Sequence, residues 1–354
     1  VIAKGPALDY LKMRGLDDAA AYLEGVEAPK SSRVYRGSTK EQASNRSEFG
    51  KIVNGLLDKM PEAERTQRLV VIDSDLEGST GLKAIGESHP EVYIRGGVME
   101  RNNLSAAAGF GHESGRQGIF STFSAFLEMI VSEATMARMN NANLLCHFSH
   151  AGIDEIADNT CHFGINVFFA HSGIQEGDKT RLYFPADAAQ FKTVLETIFN
   201  DEGLRYIFST RSKVPYILKE DGNRYYDDDY KFTPGTDDVI REGKAGYVIS
   251  YGEMLYRALD AVDEARANGI DVGLINKTTL NVIDEESLAR VGKTGFTIVV
   301  EGQNANTGLG ARFGSWLLHK GHAPKYHTMG VTKIGQGGIA EHIPYQELAP
   351  ENIL

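Results

Sequence analysis

The feature that most constrains this chain is a regular alternation of short apolar runs with longer amphipathic ones. Leu69-Val70-Val71-Ile72-Asp73 is short and rich in β-branched residues, as a strand is, and it follows helix-like spacing from Arg46 to Met60. The pairing recurs downstream. Strands are expected near Tyr93 and over Asn143 to Phe148, Asn166 to Ala170 and Tyr206 to Ser209. A small-residue helix is expected after Glu100, a long helix from about Thr122 to Met139, and another over Ala188 to Phe199. Strands separated by helices pair in parallel, because a parallel connection needs a long crossover, and the helices then cover both faces of the sheet.

A second α/β pattern follows. Its strands are expected near Ala245 to Ser250, Asp271 to Ile275 and Phe296 to Val300, with helices at about Met254 to Ala267 and Gly308 to Leu318. The expected fold class is therefore α/β, as two three-layer α/β/α domains with mainly parallel sheets. Residues 1–44 read as a lead-in arm, 45–225 as the first domain and 226–354 as the second. The boundary falls in the Asp-, Tyr- and Gly-dense run between Lys219 and Thr236.

Length and charge narrow the function. A chain of 354 residues with 42% hydrophobic and 24% charged residues is ordinary globular material, which argues against disorder. A net charge of −11 with no clustered Lys and Arg disfavours nucleic acid or an anionic membrane as the main partner. Two cysteines, Cys146 and Cys161, do not make a disulfide framework, and a reducing, cytoplasmic setting is expected. No apolar run approaches the length of about 18 residues that a membrane helix needs. The chain begins with Val1, which leaves room for a processed segment or the rest of a longer polypeptide in front.

Three constellations lie at the ends of expected strands, where open α/β sheets bind ligands. The first is Arg95-Gly96-Gly97-Val98-Met99-Glu100, leading into a small-residue helix. Burial at such a junction favours the neutral form of a carboxyl and suits proton sharing, although acids are also common simply as first-turn residues. The second is Phe123, Phe126 and Met129, spaced at i, i+3 and i+6. That stripe suits a core face, and equally a clamp for a flat heteroaromatic ring. The third is His147-Phe148-Ser149-His150, followed by Asp158 and His162, a set able to hydrogen-bond a polyhydroxy substrate. Zinc is the rival there, but these histidines and Cys146 and Cys161 lack zinc-finger spacing, so no metal site is assigned to this chain. The glycine runs Gly308-Leu309-Gly310 and Gly335-Gln336-Gly337-Gly338 are better explained as turns and helix starts than as phosphate loops.

Taken in order, these pieces resemble the transketolase family from about Arg46 to Leu354. Asp75-Leu76-Glu77-Gly78-Ser79-Thr80 is similar to the turn after the first strand of the family's pyrimidine-binding domain. Arg95 to Glu100 resembles its R-x-x-x-x-E element, Ser121-Thr122-Phe123-Ser124-Ala125-Phe126 its aromatic helix start, and His150 to His162 its substrate loop. Gly295 to Gly302 and Asn306 to Gly310 resemble the family's carboxy-terminal domain.

The resemblance implies a thiamine diphosphate enzyme that transfers a two-carbon ketol unit between sugar phosphates. It implies that Glu100 meets the cofactor's pyrimidine and helps to activate it. Phe123 and Phe126 would pack on that ring, with Met129 where a third aromatic is common and Asp75 also beside the cofactor. His150, Asp158 and His162 would hold the donor sugar, with His150 and His162 taking part in catalysis. Arg46, Ser79 and Arg211 would grip its phosphate, a task suited to guanidinium forks.

Ala157-Asp158-Asn159 and Cys161-His162-Phe163 depart from the family's E-D-G and T-H-Q, and Arg101 follows the glutamate where a small or polar residue is usual. No Gly-Asp-Gly motif for Mg2+ (or Ca2+) and the diphosphate is found. The metal and the diphosphate are thus expected on a partner domain, from a separate chain or a missing amino-terminal half, in a homo-oligomer or hetero-oligomer without nucleic acid or membrane. Dihydroxyacetone synthase and the beta-type subunit of a 2-oxoacid dehydrogenase are the alternatives within this chemistry, and a non-catalytic regulatory or scaffold paralogue is the alternative outside it.

Overall fold

A computed structural model describes residues 3–27, 33–153, 162–171, 179–336 and 342–354. Thirteen strands run along them: β1 (Ser38–Ala43), β2 (Leu69–Asp73), β3 (Tyr93–Arg95), β4 (Gln117–Phe123), β5 (Leu144–Ser149), β6 (Arg181–Tyr183), β7 (Leu204–Phe208), β8 (Val214–Ile217), β9 (Asp238–Arg241), β10 (Gly246–Ser250), β11 (Val272–Asn276), β12 (Phe296–Asn304) and β13 (Lys325–Val331). Six form a wholly parallel sheet in the order β3-β2-β4-β5-β7-β6. Five form a second sheet, β13-β12-β10-β11-β9, parallel except for the antiparallel edge strand β9. β1 and β8 make a separate antiparallel pair.

The first sheet is covered as its sequence requires. Residues Val70, Ile72, Phe120, Cys146, Phe148 and Tyr206 are packed in one cluster, and Val71, Ile119, Leu145 and Ile207 in another with Phe49, Val53 and Phe191 from helices Asn45–Leu57 and Ala188–Ile198. These are alternate residues of the same strands, so both faces are buried. Each large apolar side chain so buried contributes about 1.5–3 kcal/mol.

Two expected elements differ. Asn166 to Ala170 is not a strand: Val167–Ala170 is a 3-10 helix, drawn toward the second sheet where Asn304 N–H donates to Ile165 O at 2.9 Å and Gln303 Oε1 accepts from Val167 N at 3.3 Å. The long helix from Thr122 is three pieces: the end of β4, a 3-10 helix Ser124–Ile130, and an α-helix Val131–Met139. Phe123 remains extended, at φ −83° and ψ 146°.

The parallel order reverses direction around β2. From β2 the chain crosses to β3 on one side and then back past β2 to β4 on the other, so the carboxyl ends of β2 and β4 flank the switch point at which open α/β sheets form a ligand crevice.

Candidate active site

The strand ends around this crevice bring the sequence-chosen side chains together in two groups. In the first, Arg46 stands in the opening turn of helix Asn45–Leu57. Its Nη1 donates to the Ser79 carbonyl at 2.6 Å and its Nε to the Arg211 carbonyl at 3.2 Å. Burial, and then the positive charge of Arg211, lower the Arg46 pKa from its ordinary value. Two guanidinium groups held close in a half-buried corner make a strong attractor for a dianion. Asp73 builds the turn that carries Ser79. It is buried, and its carboxylate accepts from Leu76 N at 3.3 and 3.1 Å. Burial raises its pKa and these backbone N–H groups partly offset the rise. Asp75 itself is exposed and held at φ 64°, a strained value for a residue with a Cβ.

The second group is centred on Phe123, which is 5% exposed. Its ring lies 3.9 Å from that of His150, 4.9 Å edge-on from His162, and 5.8 Å from Phe126 with planes 22° apart. Phe126 is half-buried and Met129 is 50% exposed at the end of the same face, because a 3-10 helix returns to one side every three residues. His150 follows β5 at φ 58°, with Nδ1 3.0 Å from Ser149 Oγ. Gly152, at φ 85°, lets the next turn pass Glu253 so closely that a Cβ would lie 1.8 Å from its Oε1. Asp158 lies outside the described residues.

Glu100 is the first residue of helix Glu100–Phe110, which packs on β2, β4 and the 3-10 helix carrying Phe126. The residue is only 7% exposed, yet its carboxylate has no hydrogen-bond or ion-pair partner among the described residues. The glycine loop ahead of it is pinned by Asn103, whose Nδ2 donates to Gly97 O at 2.9 Å and Ser74 Oγ at 3.1 Å. Arg101, by contrast, turns outward to Glu133. A nearly enclosed residue whose carboxylate has no partner among the described residues, with aromatic rings in the neighbouring group, fits a flat heteroaromatic cofactor with a ring nitrogen to be hydrogen-bonded.

Sequence reasoning missed Asp73 and Asn103 as supports, and placed His147 with His150 in a set for hydrogen-bonding substrate, with zinc as the rival, whereas its ring is buried between Ser121 and Ser209. For Asp73 and His147 the signal present was a polar residue inside an otherwise apolar strand; Asn103, in a helix, had none. The glycines of Gly308-Leu309-Gly310 also gain a reason. Glu301 is fully buried and accepts from Leu309 N and Gly310 N, each at 2.8 Å, and from Tyr251 Oη at 2.5 Å. A carboxylate of the chain itself thus fills that helix start, where a phosphate would otherwise sit.

Comparison with known proteins bears on the family and the fold. Residues 49–216 match the family model for the transketolase pyrimidine-binding domain and 235–353 that for the transketolase C-terminal domain. The chain is 27% identical over 299 residues to a transketolase family protein of Sinorhizobium fredii, covering 80% of this chain and 78% of that one. It is 26% identical over 328 residues to a transketolase C-terminal section of Methanocaldococcus jannaschii, covering 92% and 96%. Two solved structures share its fold at a TM-score of 0.70: a split-gene transketolase described as an inactive beta4 tetramer, at 24% identity over 88% of this chain and 96% of that one, and the transketolase of Campylobacter jejuni, at 15% identity over 93% and 48%. The chain spans 38% of the length of the mouse transketolase-like protein 2, to which it is 26% identical over 70% of its own residues. Two family models in the expected order, over most of the chain, establish that it belongs to the transketolase family.

Proposed function

We propose that this chain is the pyrimidine-binding and carboxy-terminal part of a thiamine-diphosphate transferase that moves a two-carbon ketol unit between sugar phosphates. The observation that carries the reading is Glu100, a residue 7% exposed whose carboxylate has no partner among the described residues. Bound thiamine diphosphate would supply a carbon acid and an electron sink. Glu100 would share a proton with its pyrimidine nitrogen, and Phe126, with Phe123 behind it, would pack on the ring and exclude water. His150 and His162 would orient the donor's hydroxyl groups and move protons to and from them, with Asp158 beside them. Arg46, Arg211 and Ser79 would hold the phosphate.

The diphosphate and its Mg2+ would be held by a partner domain, since this chain supplies no Gly-Asp-Gly motif. The names of two relatives support a two-chain arrangement: the transketolase C-terminal section of M. jannaschii and a 6-deoxy-6-sulfo-D-fructose transketolase subunit of Clostridium sp., 26% identical over 70% of this chain and 74% of that one. The working division is a lead-in arm over 1–44 and domains over 45–225 and 226–354.

The test is ketol transfer from a phosphorylated ketose to an aldose phosphate by the chain combined with a diphosphate-binding chain. Glu100→Gln should slow it by about a hundredfold or more, the scale of one lost proton-transfer group. An unchanged rate would refute the assignment.

A further inference from the structure

His147 lies inside β5, every residue of which is buried, and has no exposed surface of its own. Its Nδ1 is 3.0 Å from Ser121 Oγ on the neighbouring strand β4, and its Nε2 is 2.8 Å from Ser209 Oγ, just past β7 on the other side. Its ring stacks on Phe49 from helix Asn45–Leu57, with centroids 4.3 Å apart and planes 18° apart, and meets Phe191 edge-on at 6.2 Å. A neutral imidazole has one N–H and one bare nitrogen. One serine therefore accepts from it while the other donates to it, and the three side chains form a directional chain across three strands. The ring keeps this neutral form because burial, then the charges of His150 and Arg46, push its pKa down to about 3.

Each segment tied to this ring continues into a side chain of the crevice. Phe123 follows Ser121 by two residues, His150 follows His147 by three, Arg211 follows Ser209 by two, and Arg46 precedes Phe49 by three. A leucine would fill such a core position with no polar groups to satisfy. A satisfied polar bridge there instead fixes one arrangement of the strands it joins.

We propose that His147 is a positioning residue for the active site: it locks the carboxyl ends of β4, β5 and β7 and the first turn of helix Asn45–Leu57 to one another, so that Phe123, His150, Arg211 and Arg46 converge. The inference rests on reading those four as cofactor and substrate contacts, but its mechanical part is tested apart from that reading. His147→Leu removes both hydrogen bonds and keeps the bulk; His147→Gln keeps a donor and an acceptor.

In the full chain, amide hydrogen exchange is followed by mass spectrometry over 45–49, 121–124, 149–151 and 209–212, with β10 to β12 as the control. The leucine variant should exchange about tenfold faster in all four segments and unchanged in the control, and the glutamine variant should stay within about threefold of the parent. Inorganic phosphate, titrated against the same chains by calorimetry, should bind about tenfold more weakly to the leucine variant and near normally to the glutamine variant. Should the leucine variant not fold, Ser209→Ala, which leaves the ring in place, is read by the same criteria. Parent-like exchange in a folded leucine variant, or equal losses in both histidine variants, overturns the proposal. If the parent chain binds no phosphate, the substrate reading of Arg46 and Arg211 falls, while the exchange comparison still decides the role of His147.

Discussion

Asp238 offers the sharpest test of how the two sheets are joined. It opens β9, and its Oδ2 accepts from Tyr226 Oη at 3.2 Å, Tyr230 Oη at 3.0 Å and Gln190 Nε2 at 3.1 Å, the last from the helix covering the first sheet. Gln190 Nε2 also donates to Thr278 Oγ1 at 2.7 Å, and Asn276 Nδ2 donates to Gln190 Oε1 at 3.1 Å and to Tyr226 Oη at 2.6 Å. Burial raises the Asp238 pKa from 3.8 to about 7; the two tyrosine hydroxyls oppose the rise and neighbouring Asp237 adds to it.

Between those two values the folded chain holds a proton that the unfolded chain has released. The stability from this group is therefore complete below 3.8, and it is lost as pH rises through about 7. At about 1.4 kcal/mol for each tenfold step, the full loss is about 4 kcal/mol, of which about 2 kcal/mol falls between about pH 5.5 and about pH 8.5. These are upper figures, because the side chain keeps some contact with water. Asp238→Asn keeps the accepting oxygen and cannot ionise. With a urea slope of about 3 kcal/mol/M, the wild-type midpoint should fall by about 0.7 M more than the variant's over that interval. Equal slopes with pH, or a variant less stable than wild type at about pH 8.5, would refute the reasoning.

Three further outcomes are expected. Glu301→Ala strips three donors of their acceptor at the start of helix Leu309–His319 and should cost about 2–4 kcal/mol, measured by urea denaturation. Gly152→Ala forces a Cβ against Glu253 at φ 85° and should cost about 1–3 kcal/mol, with faster amide exchange at His150 and Ala151. In the reconstituted enzyme, Arg46→Ala should raise KM about 10- to 100-fold for a phosphorylated donor and leave that for its unphosphorylated analogue nearly unchanged.

Much of this was legible where apolar runs are short and uninterrupted. Leu69-Val70-Val71-Ile72-Asp73 coincides with β2, and the expected strand over Asn143 to Phe148 lies within one residue of β5 at each end. β4 was hidden because Gln117, Gly118, Ser121 and Thr122 are polar or small, and they are buried only because the strand lies between two others and ties itself to His147. The pairing of β1 with β8 joins segments far apart in sequence and leaves no local signature. Arg46, Ser79 and Arg211 could be chosen only through family resemblance, since their meeting depends on chain crossings that no periodicity encodes.

The buried carboxylates differ in what meets them: Asp237 and Asp260 are paired with Lys277 and Arg33, others are met by backbone N–H groups, and the difference predicts unequal effects of the same substitution. Asp73, Asp187 and Glu301 are each met by backbone N–H groups: Asp187 by Gln190 N at 2.9 Å and Ile217 N at 3.0 Å, and the others as described above. Glu100 is 7% exposed, against 1% for each of those three, and has no such partner among the described residues. The Glu100 oxygens keep contact with water, so little is lost by their having no partner, and the place at a helix start returns about 0.3–1 kcal/mol. Glu100→Gln should therefore change the stability of the chain by less than about 1 kcal/mol, while Glu301→Gln lowers it by more, in parallel urea titrations. A nearly enclosed residue whose carboxylate contributes little to folding is available to what it meets in the working complex. If Glu100→Gln destabilised the chain as Glu301→Gln does, Glu100 would be an ordinary structural acid, and the reading of the crevice as a cofactor site would lose its main support.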